Sequence, residues 1–181
     1  MLEELEEMYE TNQEYQNFVD ISFNWKKKYN KRILKYWNSV EDLFDIIYTC
    51  LDTASAWTGF DSKKNEITTW LIENKAAFSE KRISIQNDTP IFIDKKPRSA
   101  ISKFAHIVNP TLYPYIYDGY FNEYVRTMLE RGCKKNIYEN WDETINNWAQ
   151  SHQEFIGNST EKIWRIDSLI WAYGKYTTLS L

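Results

Sequence analysis

The stretch SVEDLFDIIYTCLDTASAWTG, residues 39–59, decides the fold class. Val40, Leu43, Phe44, Ile47, Leu51 and Ala54 recur at three- and four-residue steps, the spacing of one face of an α-helix. Ser39 stands where an N-cap belongs, with Glu41 and Asp42 in the first turn, where carboxylates oppose the positive end of the helix dipole. The pattern predicts a helix to about Trp57, with Gly59 ending it.

Helical spacing continues on both sides. Residues 1–17 hold six Glu and no Lys or Arg, and Leu2, Leu5 and Met8 give a short acidic helix. Lys26, Lys27, Lys28, Lys31, Arg32 and Lys35 follow; pairing between these two stretches is favoured over a nucleic-acid patch. Downstream, Ile67, Trp70, Leu71 and Phe78 predict a helix over about 66–78. Residues 83–93, ISIQNDTPIFI, read either as a small β-hairpin or as an irregular loop with apolar anchors.

Ile101, Phe104, Ala105 and Val108 predict a helix over 98–108, stopped by Asn109-Pro110. After the aromatic connection TLYPYIY, Asp118 occupies an N-cap position for a helix to about Arg131, closed by Gly132. Another helix spans roughly 140–155. The last starts near Asn158, with Glu161 completing a capping box, and ends at Gly174. The expected class is mainly α: one compact multi-helix domain, residues 1–181, with a charged segment 1–36 ahead of a helical core 37–181.

Composition narrows the function classes. An apolar share of 43% suits a globular chain, and no run of about 18 apolar residues predicts a membrane span. The acidic start MLEELEEMYE is no signal peptide, and Cys50 and Cys133 are read as reduced thiols, so a cytoplasmic protein is expected. The net charge of −4 speaks against a basic coat over the whole surface. Residues 62–108 nevertheless carry nine Lys/Arg against five Asp/Glu. There is no HExxH, GxxxxGK[ST], GxGxxG or GxSxG, so neither metal nor cofactor is expected. The chain has 8 Trp, 13 Tyr and 9 Phe, which suit an aromatic core first and a base-stacking site second.

The chemistry concentrates in PRSAISKFAHIVNPTLYPYIYDGYFNEYV, residues 97–125. A helix bearing Lys103 leads through a Pro-containing loop to Asp118. A lysine freed of its proton attacks an electrophilic carbon, and a carboxylate stabilises the positive charge that develops there. Ser102-Lys103, then Ile116-Tyr117-Asp118 with Val125 beyond, resembles the core of the helix-hairpin-helix DNA glycosylases, in particular their 8-oxoguanine glycosylase branch. The closing segment Arg165–Lys175 is also similar to the final helix of compact proteins in that group.

The resemblance covers about a third of the chain. It implies that Lys103 attacks C1′ of a flipped-out nucleoside, that Asp118 stabilises the oxocarbenium-like sugar, and that DNA is the partner. Lys95, Lys96, Arg98 and Ser102 become candidate nucleic-acid contacts, and His106, Tyr113, Tyr117 and Trp171 candidate pocket residues. Two departures stand out: Lys96-Pro97-Arg98-Ser99-Ala100 has no Gly where the family's hairpin turns, and the Lys-to-Asp spacing is short. Two other classes fit the same residues. One is a non-catalytic binder of nucleic acid, a nucleotide or a protein on a glycosylase-like scaffold, of the kind phages and mobile elements encode. The other is a helical interaction module. Each residue also has a plainer reading: Lys103 as a surface lysine, Asp118 as an ordinary cap, His106 as a hydrogen-bonded core histidine.

Overall fold

A computed structural model describes residues 2–80, 83–120, 124 and 159–179. The chain is mainly helical, as its periodicity predicts. The helices are α1 (Leu2–Thr11), α2 (Gln13–Lys35), α3 (Val40–Thr53), α4 (Lys64–Glu73), α5 (Lys75–Glu80), α6 (Arg98–Val108) and α7 (Thr160–Leu179), with a 3₁₀ turn at Asp61–Lys63. None of the described helices is long and apolar enough to cross a membrane. The helices expected over 118–131 and 140–155 lie outside the described residues, apart from the first turn at Gly119 and Tyr120 and from Tyr124.

The chain divides into two compact units. Unit 1 comprises Met1–Lys26 and Ile116–Leu181, and unit 2 comprises Lys27–Tyr115. In unit 1, α1 packs against α7. Asn12 separates α1 from α2 because its side chain accepts the Tyr15 N–H at 3.0 Å, a cap that starts a new helix. Leu5, Tyr15, Val19, Ile163, Ile166, Leu169 and Ile170 form the core. The Tyr15 hydroxyl donates to the Leu169 carbonyl at 2.7 Å, so this large ring is buried without an orphaned polar tip.

The same core encloses a charge pair. Lys26 and Asp167 are each 1% exposed, with Nζ and Oδ2 2.9 Å apart. Lys26 Nζ also donates to Ser22 Oγ at 2.7 Å and Ser168 Oγ at 2.8 Å, while Asp167 Oδ1 accepts the Ile116 N–H at 3.1 Å. One residue of each charged stretch has its partner on α7: Glu6 meets Arg165 at 2.9 Å, and Lys26 meets Asp167. Arg165 also lies 3.7 Å from the centre of the Tyr9 ring.

In unit 2, α3 packs against α4 and α6, and α5 against α4 and α6. Leu43, Ile47, Leu51, Ile67, Leu71, Phe78, Ile101 and Phe104 are its core. Ser39 caps α3 through the Asp42 N–H, as its sequence position predicts. The helix ends at Thr53, short of the expected Trp57. Ser55 adopts φ 51°, with Ala56 N–H bonding the Leu51 carbonyl and Ser55 N–H the Asp52 carbonyl; this is a Schellman stop without its usual glycine. Gly59, at φ 78°, belongs to the next turn. The helix expected over 66–78 is two helices, because Asn74 turns its side chain back to the Trp70 carbonyl at 2.8 Å.

The possible hairpin at 83–93 does not form; no strand occurs among the described residues. Asp88 Oδ2 accepts the Ser84 N–H and Ser84 Oγ accepts the Asn87 N–H, which curls the segment into a turn, and Pro90 has no N–H for a ladder. Pairing appears only as an isolated bridge between Phe92 and Lys95. α7 passes through Gly174 instead of ending there. A Cβ on Gly174 would sit 2.3 Å from the Tyr120 carbonyl oxygen and 2.8 Å from its carbon. Glycine therefore admits the close backbone approach.

Two outcomes test these contacts. Lys26→Met leaves a buried carboxylate uncompensated and is expected to cost about 3–5 kcal/mol in urea unfolding. Lys26→Met with Asp167→Asn is expected to recover part of that loss, because Asn keeps an acceptor for Ile116. Gly174→Ala would stabilise an ordinary helix by about 1 kcal/mol. Here a lower melting temperature is expected, by about 1–3 kcal/mol in stability, since backbone must shift to admit the methyl.

Candidate functional site

Helix α6 positions the candidate amine. Its sequence puts Ser99, Ser102, Lys103 and His106 at three- and four-residue steps, so they share one stripe of the helix. That stripe is interior: Ser102 is 1% exposed, Lys103 7% and His106 fully buried. Lys103 is therefore no surface lysine. The opposite stripe holds Ile101, Phe104 and Ala105 in the core, with Phe104 edge-on to Phe78 at 5.3 Å between ring centres. Apolar packing on that side anchors the helix and holds the polar stripe in place.

Three hydrogen bonds fix the stripe. Lys103 Nζ donates to Ser99 Oγ at 2.7 Å, and Ser102 Oγ donates to the Ser99 carbonyl at 3.1 Å. His106 Nδ1 lies 2.7 Å from the Tyr113 carbonyl; a carbonyl only accepts, so Nδ1 carries the proton. The Tyr113 hydroxyl accepts the Ile83 N–H, and its ring lies 5.8 Å from Phe78. His106 and Tyr113 thus brace the loops on either side of α6. Cys50, buried in α3, lies within electrostatic range of the stripe. Burial pushes its thiol well above the ordinary range, and the nearby Lys103 ammonium pulls the other way.

The remaining candidates sit elsewhere. Lys96 Nζ donates to the Gln86 carbonyl at 2.6 Å and the Asn87 carbonyl at 3.2 Å, closing the loop ahead of α6. Lys95 is exposed on that loop, and half-buried Arg98 opens α6. Asp118 belongs to unit 1, where it directly precedes helical Gly119 and Tyr120, the position of a cap. Tyr117 and Trp171 are also in unit 1 and half-buried. Trp171 meets Tyr120 edge-on at 5.9 Å between centres, with Lys175 Nζ 5.0 Å from its ring. Unit 2 therefore assembles Ser102, Lys103, His106 and Tyr113, while Asp118, Tyr117 and Trp171 lie in the other unit.

Reading the sequence passed over the second buried polar cluster, Ser22, Lys26, Asp167 and Ser168. The signal was present: Asp167-Ser168 interrupts the apolar run Ile163–Ile170 on its inward face. Among the described residues, no group of three or more His, Cys, Asp or Glu is arranged to hold a metal ion. Comparison with protein-family models, with curated proteins and with solved structures finds no match.

The Cys50 environment has a measurable consequence. A group raised on folding contributes stability below its unfolded value, near pH 8.5, and that contribution is lost as pH rises further. In a Cys133→Ser background at pH 8, Cys50 is expected to react with a disulfide reagent far more slowly than an unfolded thiol. Its rate is expected to climb with urea; a fast rate in native buffer would refute its burial.

Proposed function

We propose that the chain is a DNA glycosylase with abasic-site lyase activity, in which Lys103 is the attacking amine. The observation that supports this reading is the placement of Lys103: a lysine 7% exposed, held by Ser99 2.7 Å away, on a helix anchored by Phe104 against Phe78. A side chain with four rotatable bonds is thereby fixed in direction, which lowers the entropic cost of attack. In the proposed reaction the unprotonated amine attacks C1′ and the C1′–base bond breaks, the base leaving with a proton. Ring opening then gives an imine to Lys103, from which the 3′ phosphate is eliminated. By the resemblance, Asp118 stabilises positive charge at the sugar.

A second reading is favoured by specific contacts. Lys96, Ser102, His106 and Tyr113 all have polar atoms bonded to the protein's own backbone. These contacts support a reading as a non-catalytic binder of nucleic acid, a nucleotide or a protein.

Borohydride trapping separates the two. The protein is mixed with duplexes carrying 8-oxoguanine, uracil, an alkylated base or an abasic site, then reduced. A covalent adduct is expected with wild type and is expected to vanish in Lys103→Gln. Adduct formation that survives Lys103→Gln removes Lys103 from the chemistry. The absence of both adduct and released base on every substrate selects the non-catalytic reading.

A further inference from the structure

The second half of α2 presents a row of cations. Residues 21–40 contain no Asp or Glu, and Lys28, Lys31 and Lys35 are exposed at three- and four-residue steps along one side of the helix. The opposite side is fixed: Tyr29 and Ile33 are buried, and Asn30 Nδ2 donates to the Ile107 carbonyl at 2.6 Å. Lys28 Nζ stands 5.2 Å from the centre of the Tyr29 ring, and Lys35 Nζ 4.9 Å from that of Tyr36. Aromatic neighbours therefore direct these two amines. None of the three lysines forms an ion pair among the described residues.

Helix α1 carries the reciprocal row. Glu3, Glu7 and Glu10 are exposed at four- and three-residue steps, and none of them forms an ion pair among the described residues. Leu5 is buried on the far side, and Glu6 ties the helix to α7 through Arg165. Each row runs over seven residue steps, a rise of about 10 Å in both helices. The order of spacing is inverted: four then three in α1, three then four in α2. Antiparallel alignment therefore sets Glu10 opposite Lys28, Glu7 opposite Lys31 and Glu3 opposite Lys35.

We propose that the two rows are the halves of a contact between copies of this chain, with α1 of one copy lying antiparallel on Lys28–Lys35 of another. Each copy supplies one row of each sign, so a single contact accounts for both. A polyanion would neutralise the lysines and leave the matched glutamate row without a role. Exposed ion pairs are individually weak and screened by salt, so the association is reversible and is sustained by several pairs acting together at low ionic strength. None of the six residues takes part in the chemistry proposed for Lys103, so the trapping result and this contact are decided separately.

Sedimentation velocity over a concentration series of nuclease-treated, full-length protein measures the association. Wild type is expected to sediment as more than one chain at low salt, with an association constant that falls about tenfold or more between roughly 50 mM and roughly 500 mM salt. One variant combines Lys28→Glu, Lys31→Glu and Lys35→Glu; the other combines Glu3→Lys, Glu7→Lys and Glu10→Lys. Each carries two rows of like sign and is expected to remain a single chain. Their equimolar mixture opposes unlike rows again and is expected to associate about as tightly as wild type. The single reversals Lys31→Glu and Glu7→Lys repeat the exchange with the least change to each helix, and are expected to weaken association severalfold alone and restore it when mixed. Four results overturn the contact: wild type that stays a single chain at every concentration in low salt; a triple variant that associates as wild type does; mixtures of both the triple and the single reversals that fail to regain association; or lysine-dependent binding to duplex DNA or phosphatidylserine vesicles by a protein that stays a single chain.

Discussion

The Lys26–Asp167 pair is the constraint around which unit 1 is organised. Lys26 Nζ donates to Ser22 Oγ and Ser168 Oγ and lies 2.9 Å from Asp167 Oδ2 as an ion pair. Its partner's other oxygen holds the Ile116 N–H. Taking two charges out of water is costly, and their attraction offsets that cost only with good geometry and satisfied remaining valences. The two serines and one backbone amide add three hydrogen bonds to that attraction. Because Ser22 and Lys26 are on α2 and Asp167 and Ser168 on α7, the pair also sets the register between those helices. Apolar packing alone would tolerate a slide that the hydrogen bonds forbid.

A different logic governs α6 in unit 2. Hydroxyls and carbonyls meet Lys103 and His106 on its buried polar stripe. The aromatic wealth of the chain serves burial in both units: Phe78, Phe104 and Tyr113 cluster in one, and Tyr15, Tyr124 and Tyr173 in the other. Tyr15 and Tyr124 are both held in the protonated form by burial, first of all, and then by neighbouring groups. These rings are structural members of the core.

Helix class, and the starts that carry a local signal, were legible in the sequence. Ser39 begins α3, and Asn109-Pro110 stops α6 at Val108, because capping and proline act within a few residues of where they are read. Ends set by long-range contacts were not. Ser55 takes a place where glycine is expected, and Gly174 is needed for the approach of Tyr120, not for a stop. The site was legible only as a set of residue types. Nothing local marks Lys103 as buried, since a lysine on an amphipathic helix ordinarily points outward. Nothing local marks Tyr113 as the carbonyl partner of His106. The Asp167-Ser168 pair was marked, set between Ile166 and Leu169.

The division of the chain has a consequence for its synthesis. Unit 2 is continuous, Lys27–Tyr115, and all of it leaves the ribosome before any of the second half of unit 1. Lys26 emerges first and its partner Asp167 last, 141 positions later. At about 5–20 residues per second, the ammonium waits on the order of ten seconds for the carboxylate that will bury it. Burial of the pair therefore requires both ends of the chain, and unit 1 cannot complete its core until the last helix has been made.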